Sequence, residues 1–519
     1  MSKFSDNDDM SCAYDDDFGY GEDDSSSDGD MLDDANGYLG SSHFSEKLEA
    51  PPRRAYQVDF VVYSAQDLEM KQKKEIDHVC SVLKIPATHA ASLLRSYHWK
   101  KDRLMEEFMD DIRGVQKKAG VILDANRLPK LEPATMKNFI CTICCDYTPG
   151  DPTLALSCNH RFCADCYKQY VELKIREGES RYIVCPQHKC GLVVDEATVK
   201  LLVSPEIYAK YVILLNRTYV DDHSTIKWCP APNCEFAVEC HIRATQLGRI
   251  VPTVRCQCGQ VFCHGCSLPS NHQPCPCIVV KCWLKKCSDD SETGNWISAH
   301  TKDCPKCESQ IEKNGGCNHM TCKKCRHEFC WICMGDWKSH NNAYSCNRFK
   351  EEQTNSKIAK SRAALERYLF YFNRFDNHEK SAKLDQKLYD RTERKMEEMQ
   401  QTSTLTWIEC QFLRQAVDTL TECRMTLKWT YAWAYYLEGN NQKALFEDNQ
   451  RDLEMATEQL SGLLEEPIEP EKIQDLRRRV LDKKAYVEHR HDVLLDDTAK
   501  GLLEDRWMYV ADAPFKNSL

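Results

Sequence analysis

Apolar positions recur at helical spacing in three short stripes between residues 65 and 115. Ile76, Val79 and Leu83 form the first stripe. Ala90, Leu93, Leu94 and Tyr97 follow a break at Pro86, and Leu104, Met105 and Phe108 complete the set. Apolar residues three and four apart mark an amphipathic helix, so a small three-helix domain is predicted over 65–115. The pattern changes near residue 350. From 350 to 510 there are only three glycines (Gly439, Gly462, Gly501) and two prolines (Pro467, Pro470). The runs 358–400, 404–438 and 442–464 are rich in Ala, Leu, Glu, Gln, Lys and Arg, the strong helix formers. They predict an all-α domain over 350–505, followed by a tail over 506–519. Tyr368, Phe370, Phe375, Trp407, Trp429 and Trp433 are expected to pack its core.

Between these helical regions cysteine organises the chain. Of 31 cysteines in 519 residues, 27 lie between Cys141 and Cys346. A disulfide scaffold requires a secretory route. The opening Met1-Ser2-Lys3-Phe4 runs straight into acidic residues with no apolar stretch behind it. No segment approaches the roughly 18 apolar residues of a membrane span, so no membrane association is expected. The thiols are therefore expected to be reduced and metal-bound, in the cytoplasm or the nucleus. Residues 1–50 carry 15 Asp or Glu against two Lys, the composition of a disordered acidic tail. A net charge of −11 and the lack of a basic stripe argue against nucleic acid as a partner.

Zinc takes four soft ligands in a tetrahedron, and Cys-x-x-Cys supplies two of them from one tight turn. The first part of the block reads Cys141, Cys144, Cys158, His160, Cys163, Cys166, Cys185 and Cys190. Eight ligands in this order form a cross-brace, in which pairs one and three share one ion and pairs two and four the other. The second part offers Cys229, Cys234, Cys256 and Cys258, then Cys263, Cys266 and His272 with either Cys275 or Cys277. The third gives Cys304, Cys307, Cys322, Cys325, Cys330, Cys333, His340 and Cys346. Six zinc ions are expected. Cys145, Cys240, one of Cys275 and Cys277, Cys282, Cys287 and Cys317 are left over. Among these, only Cys317 follows a Gly-Gly pair, precedes a histidine by two residues and lies between two zinc pairs. A spare thiol with a nearby base reads as a nucleophile.

The order RING, in-between-RING (IBR), second RING resembles the RING-between-RING ubiquitin ligases. Lys281-Cys282-Trp283-Leu284-Lys285-Lys286-Cys287, the run Asp289–Ile297, Cys317-Asn318-His319-Met320, Glu328-Phe329-Cys330-Trp331-Ile332-Cys333 and Arg367-Tyr368-Leu369-Phe370-Tyr371 are similar to the ariadne branch of that family. The resemblance implies a multidomain α+β chain. It comprises a UBA-like (ubiquitin-associated) domain at 65–115, a first RING at 137–195, an IBR module at 205–280 and a helical linker at 281–302. A catalytic second RING at 303–347 and a helical ariadne domain at 350–505 complete it. Family alignment favours Cys277 over Cys275 as ligand.

The resemblance also implies an activity. A ubiquitin-conjugating enzyme docks on the first RING, with Ile143 as an apolar contact. Cys317 accepts ubiquitin as a thioester and passes it to a lysine of a protein substrate. His319 acts as general base and Glu328 orients it. The ariadne helices are expected to shield Cys317, with Asp385, Glu454 and Glu458 as contacts, until a neddylated cullin-RING ligase releases them. The alternative is a scaffold-type RING ligase or adaptor with no covalent intermediate.

Overall fold

The computed structural model describes residues 53–123, 139–145, 152–266, 268–289, 301–313, 315–342, 346–349, 357–402, 410–466 and 469–516. The acidic segment 1–50, Trp407 and the run Asp290–Ile297 lie outside these residues.

The N-terminal region begins with strand β1 (Phe60–Tyr63) and continues into helices α1 (Ala65–Leu83), α2 (Ala87–Ser96), α3 (Lys101–Asp110) and α4 (Ile112–Ala119). There is one helix more than the three apolar stripes predict: α4 runs past the end of that region, where Ile112, Val115 and Ala119 continue the helical spacing and Val115 and Ala119 are buried. Ser64 caps α1 in a reciprocal box with Asp67, satisfying main-chain donors that the first turn leaves free. Val79, Ala90, Leu93, Leu94, Tyr97, Leu104 and Phe108 from the three stripes are all buried. This core does not close on itself. Tyr219, Val220, Ile226 and Ala237, all from the zinc-bearing block, complete it.

The first zinc module holds the hairpin of β2 (Thr153–Ala155) and β3 (Arg161–Cys163) and helix α5 (Ala164–Arg176). Helices α6 (Glu196–Leu202) and α7 (Pro205–Asp222) follow. Pro205 starts α7, where its missing N–H has no intrahelical partner to lose. Tyr211 and Leu215 of α7 pack into the first zinc module, and Tyr219 and Val220 pack into the N-terminal helices. One helix thus serves two cores.

The second module has strands β4 (Ile226–Trp228), β5 (Ala237–Cys240), β6 (Thr253–Arg255) and β7 (Val261–Cys263) and helix α8 (Cys277–Asp289). Its main sheet has the order β1-β5-β4, with Phe60 opposite Cys240 and Tyr63 opposite Ala237. The edge strand therefore comes from a point 174 to 180 positions earlier in the chain than its partner, a pairing no local pattern announces. The residues just before β1 reach still further. The Tyr56 hydroxyl donates to Asp492 over 2.6 Å, the Ala55 amide donates to Asp496 over 2.8 Å, and the Tyr56 carbonyl accepts from Gln273 Nε2 over 3.1 Å.

The third module contains hairpins β8 (Thr301–Asp303) with β9 (Gln310–Glu312) and β10 (His319–Thr321) with β11 (Glu328–Cys330), then the short helix α9 (Trp337–Asn342). Four long helices close the chain: α10 (Lys357–Thr402), α11 (Phe412–Tyr436), α12 (Asn441–Glu465) and α13 (Ile473–Leu503). They enclose an aliphatic core that includes Leu413, Leu420, Leu427, Leu453, Leu460 and Val480. A second, aromatic core joins them to α8. Trp283 of α8 is fully buried against Tyr368, Phe375 and Tyr435. Trp507 and Phe515 of the C-terminal tail pack into the same cluster, so the tail is part of the fold. Truncating an indole at such a site costs about 3–5 kcal/mol, so Trp283 is a strong tie between the second zinc module and the helices. No described helix is long and apolar enough to cross a membrane.

Candidate active site

The cysteines fall into compact quartets. Cys141, Cys144, Cys163 and Cys166 form one group, and Cys158, His160, Cys185 and Cys190 the next, with ligand atoms within 4.8 Å of one another. Cys229, Cys234, Cys256 and Cys258 form a third, Cys263, Cys266, His272 and Cys277 a fourth, and Cys304, Cys307, Cys322 and Cys325 a fifth. Tetrahedral zinc with bonds of about 2.3 Å to sulfur places sulfurs about 3.8 Å apart. The Sγ separations across the quartets match: 4.0 Å for Cys144 and Cys163, 3.7 Å for Cys158 and Cys185, and 3.6 Å for Cys229 and Cys258. The separations for Cys263 with Cys277 and Cys304 with Cys325 are both 3.6 Å. These are zinc-binding geometries, and the first two groups interleave as a cross-brace. Cys330, Cys346 and His340 surround Cys333 and hold its thiol well below the ordinary range. Cys275 stands apart from its quartet, buried in the aromatic core with Val279 and Trp283.

Cys317 belongs to none of these five quartets. It sits at the head of β10, two residues before His319, in a loop that begins with Gly315 and Gly316. Its Sγ accepts from the His319 amide over 3.4 Å and lies 3.9 Å from the main-chain carbonyl of Glu458 on α12. The residue is only 8% exposed. Burial first, and then the Glu458 carboxylate, pushes the thiol well above its usual range. A cavity of about 160 Å³ remains beside it, with Cys317, His319 and Trp337 on one side and Met455, Glu458 and Gly462 on the other.

His319 and Glu328 are brought together by strand register. His319 lies opposite Cys330, so Glu328 is its diagonal neighbour on the same face of the hairpin. His319 Nε2 and Glu328 Oε2 are 3.3 Å apart. The indole of Trp337 stacks on the imidazole, with centroids 4.3 Å apart and planes 10° apart. The ring is thus held from its edge by a carboxylate and from its face by an aromatic. Trp337 carries no sequence signal for this role, since only the turn after Cys333 aims it back at β10.

The loop around Cys317 is locked from outside its own module. The Asn318 amide donates to Glu458 Oε2 over 2.6 Å, and Asn318 Nδ2 donates to Glu458 Oε1 over 2.9 Å. Arg424 of α11, wholly buried, holds Glu458 at 2.9 Å and Asp385 of α10 at 2.5 Å. Lys313 donates to the Gly316 carbonyl, to Asn318 Oδ1, and to Asn377 and Ser381 of α10. Burial pushes its ammonium down to about 8. Asp385 presses so closely on Gly316 that a Cβ there would lie 2.0 Å from its Oδ1. Only glycine fits.

Of the three acidic positions expected to contact this loop, Glu458 and Asp385 reach it. Glu454 accepts from Tyr431 over 2.6 Å and faces His378 at 3.3 Å, and its charge also acts on Cys346 of the third zinc module. In the first zinc module, Ile143 stands 43% exposed between Cys141 and Cys144, with Ile140 also exposed beside it.

Five Cys/His quartets, two of them cross-braced, and a long helical domain packed against the last zinc module define a multi-zinc protein of the RING and IBR class. The family comparisons agree. Residues 141–188 match a C3HC4 RING finger, 209–277 an IBR domain described as a half RING-finger, and 299–350 a further IBR domain. Residues 366–490 match the Ariadne domain, and 70–110 the UBA-like domain described for the E3 ubiquitin-protein ligase ARIH1. The chain is 49% identical over 470 residues to the E3 ubiquitin-protein ligase dbl4 of Schizosaccharomyces pombe, covering 90% of this chain and 92% of that one. It is 40% identical over 508 residues to ariadne-1 of Drosophila melanogaster, covering 94% and 99%. It is 42% identical over 465 residues to human ARIH1, covering 87% and 82%. The chain belongs to the ariadne family of RING-between-RING E3 ubiquitin-protein ligases and is a ubiquitin transferase of that type. Ubiquitin and a ubiquitin-conjugating enzyme are its implied partners.

Proposed function

We propose that ubiquitin travels through Cys317 as a thioester, and that the helical domain holds this relay closed. A conjugating enzyme docks on the first RING, where Ile143 offers an apolar contact. The Cys317 thiolate attacks the carbonyl carbon at the ubiquitin C-terminus. A new C–S bond forms, the bond to the conjugating enzyme's sulfur breaks, and that enzyme leaves as a thiolate. A substrate lysine then attacks the same carbon. Its proton passes to His319, oriented by Glu328, and Cys317 leaves as thiolate.

One observation carries this reading. Cys317 lies outside the five zinc-binding quartets and shares a cavity with a histidine held on two sides. The Glu458, Arg424 and Asp385 contacts support a closed resting state. Opening requires an activator that binds the open form more tightly. By family resemblance that activator is a neddylated cullin-RING ligase, engaged partly through the UBA-like domain. Six zinc ions are part of the proposal, the sixth held by Cys330, Cys333, His340 and Cys346, as is residence in cytoplasm and nucleus.

The test is a non-reducing gel after mixing the chain with ubiquitin-loaded conjugating enzyme and an activator. The expected band is a ubiquitin adduct that reductant removes and that Cys317→Ala lacks. Ligation without such an adduct would support the scaffold-type alternative.

A further inference from the structure

A second and larger cavity, of about 320 Å³, lies at the junction between the third zinc module and α10. This is within the size range of small-molecule pockets. Lys302 and Lys313 line it from the zinc module, and Arg374, Lys380, Lys383 and Lys387 from α10. Six cationic side chains meet a single carboxylate among the lining residues, Asp376. Trp331, Ile332 and Leu384 supply an apolar wall.

The pairing of these cations is uneven. Lys380 lies 2.8 Å from Asp376, and Lys383 lies 3.4 Å from Glu379. Lys302 donates to the Trp331 carbonyl over 2.8 Å and sits over that indole. Arg374 donates to the carbonyls of Cys346 and Phe370. Among the described residues, then, three of the cations, Lys302, Lys313 and Arg374, rest on neutral oxygens rather than carboxylates. Positive charge on facing walls of a cleft concentrates potential and gathers anions. The rest of the chain is acidic overall, which makes the local excess more distinct.

We propose that this cleft binds a small organic polyphosphate, its phosphates on Arg374, Lys380, Lys383 and Lys387 and its body against Trp331, Ile332 and Leu384. Its walls come from both sides of the interface that covers Cys317, so the site is complete only while that interface is closed. A ligand here therefore favours the closed state, and at tenfold above its Kd it would raise the closed-to-open ratio about 11-fold. This second half rests on the closed-state reading above. Nucleoside triphosphates and inositol polyphosphates share the required chemistry.

The experiment uses the zinc-loaded full chain at physiological salt. ATP, inositol hexakisphosphate and inorganic phosphate are titrated separately by calorimetry. The same is done with the double variant K383E/K387E, whose side chains are exposed and lie outside the catalytic machinery. Zinc content is checked after each titration. Saturable binding of one organic polyphosphate, lost at least tenfold in the variant, is expected, and which compound binds identifies the source. Equal binding by the variant, or none by either organic probe, overturns the site. Transfer from pre-loaded conjugating enzyme to Cys317, with free nucleotide removed, is then timed with and without the bound probe. Slowing in the wild type but not in the variant is expected, and an unchanged rate overturns the bridging role. If no adduct on Cys317 forms in any arm, the relay reading fails while the calorimetry still reports on the cleft.

Discussion

The Asn318 amide donates to the Glu458 carboxylate across 2.6 Å, so the residue beside the candidate nucleophile is held by a helix 140 positions later. A second hydrogen bond from the Asn318 side chain reaches the same carboxylate, and Arg424 fixes the carboxylate from behind. The predictions below begin from this clasp.

Replacing Glu458 with Gln keeps the volume and removes the charge. Hydrogen bonds to charged groups are worth about 1.5–3 kcal/mol each, so the closed state should weaken by roughly tenfold or more. Alkylation of Cys317 in the resting protein should accelerate accordingly. A thermal melt distinguishes opening from loss of fold. An unchanged labelling rate with an unchanged melt would remove Glu458 from the clasp.

His319 has a separable role. His319→Ala should leave ubiquitin loading onto Cys317 intact and slow discharge to free lysine by 10²–10⁴-fold, the usual worth of a general base. Glu328→Gln should produce a smaller effect of the same kind. Single-turnover discharge from pre-formed adduct measures both. A normal discharge rate in the alanine variant rejects the assignment.

The clasp should respond to pH through two groups with opposite signs. The closed state holds the Cys317 thiol well above the ordinary range, while the open state leaves it near 8.5. The thiol's support for closure is therefore present below about pH 8.5 and is lost as pH rises through that value. Lys313 acts the other way. Its ammonium is pushed down to about 8 in the closed state, against about 10.4 in water. Raising the pH from 8 towards 10 removes its proton first in the closed form and so favours closure. In Cys317→Ser the thiol's contribution is gone, so hydrogen-exchange protection of the Asn318 amide should rise over that window. In the wild type the thiol should offset the rise. Parallel profiles for the two proteins would contradict this account.

Zinc removal should dismantle more than single modules. Structural zinc sites contribute apparent binding energies of about 10–16 kcal/mol. The second zinc module carries β1, and through it the entry to the UBA-like domain. A strong chelator should therefore unfold the N-terminal helices along with the quartets. Elemental analysis should find six zinc ions per chain, and five would place Cys330, Cys333, His340 and Cys346 outside the ligand sets.

Ile143→Ala should weaken conjugating-enzyme binding about tenfold without changing zinc content, because the side chain is already largely exposed. Titration of the first-RING surface by NMR or calorimetry reads this directly. Unaltered affinity would move the docking surface elsewhere.

The sequence by itself determined the ligand sets and the spare thiol. Zinc chemistry is local: a Cys-x-x-Cys turn supplies two ligands wherever it folds, so counting along the chain reproduced four of the quartets outright and left only Cys275 against Cys277 open in the remaining one, where family resemblance favoured Cys277. It also determined most helices of the flanking domains, three of the four at the N-terminus and three of the four long ones at the C-terminus, since amphipathic spacing and a lack of breakers act within a few turns. The partner of Glu328 was legible only through family resemblance, because a hairpin register has to be seen before two residues nine apart share a face. Tertiary structure alone decided the rest. Whether an acidic residue on a helix faces water or Arg424 depends on which helix lies beside it, and Glu454 and Glu458, one turn apart, took different partners. The stacking of Trp337, the borrowing of β1 and the cationic cleft likewise arise where distant segments meet. No short-range rule of the chain encodes those meetings, since they follow from how whole modules bury their surfaces against one another.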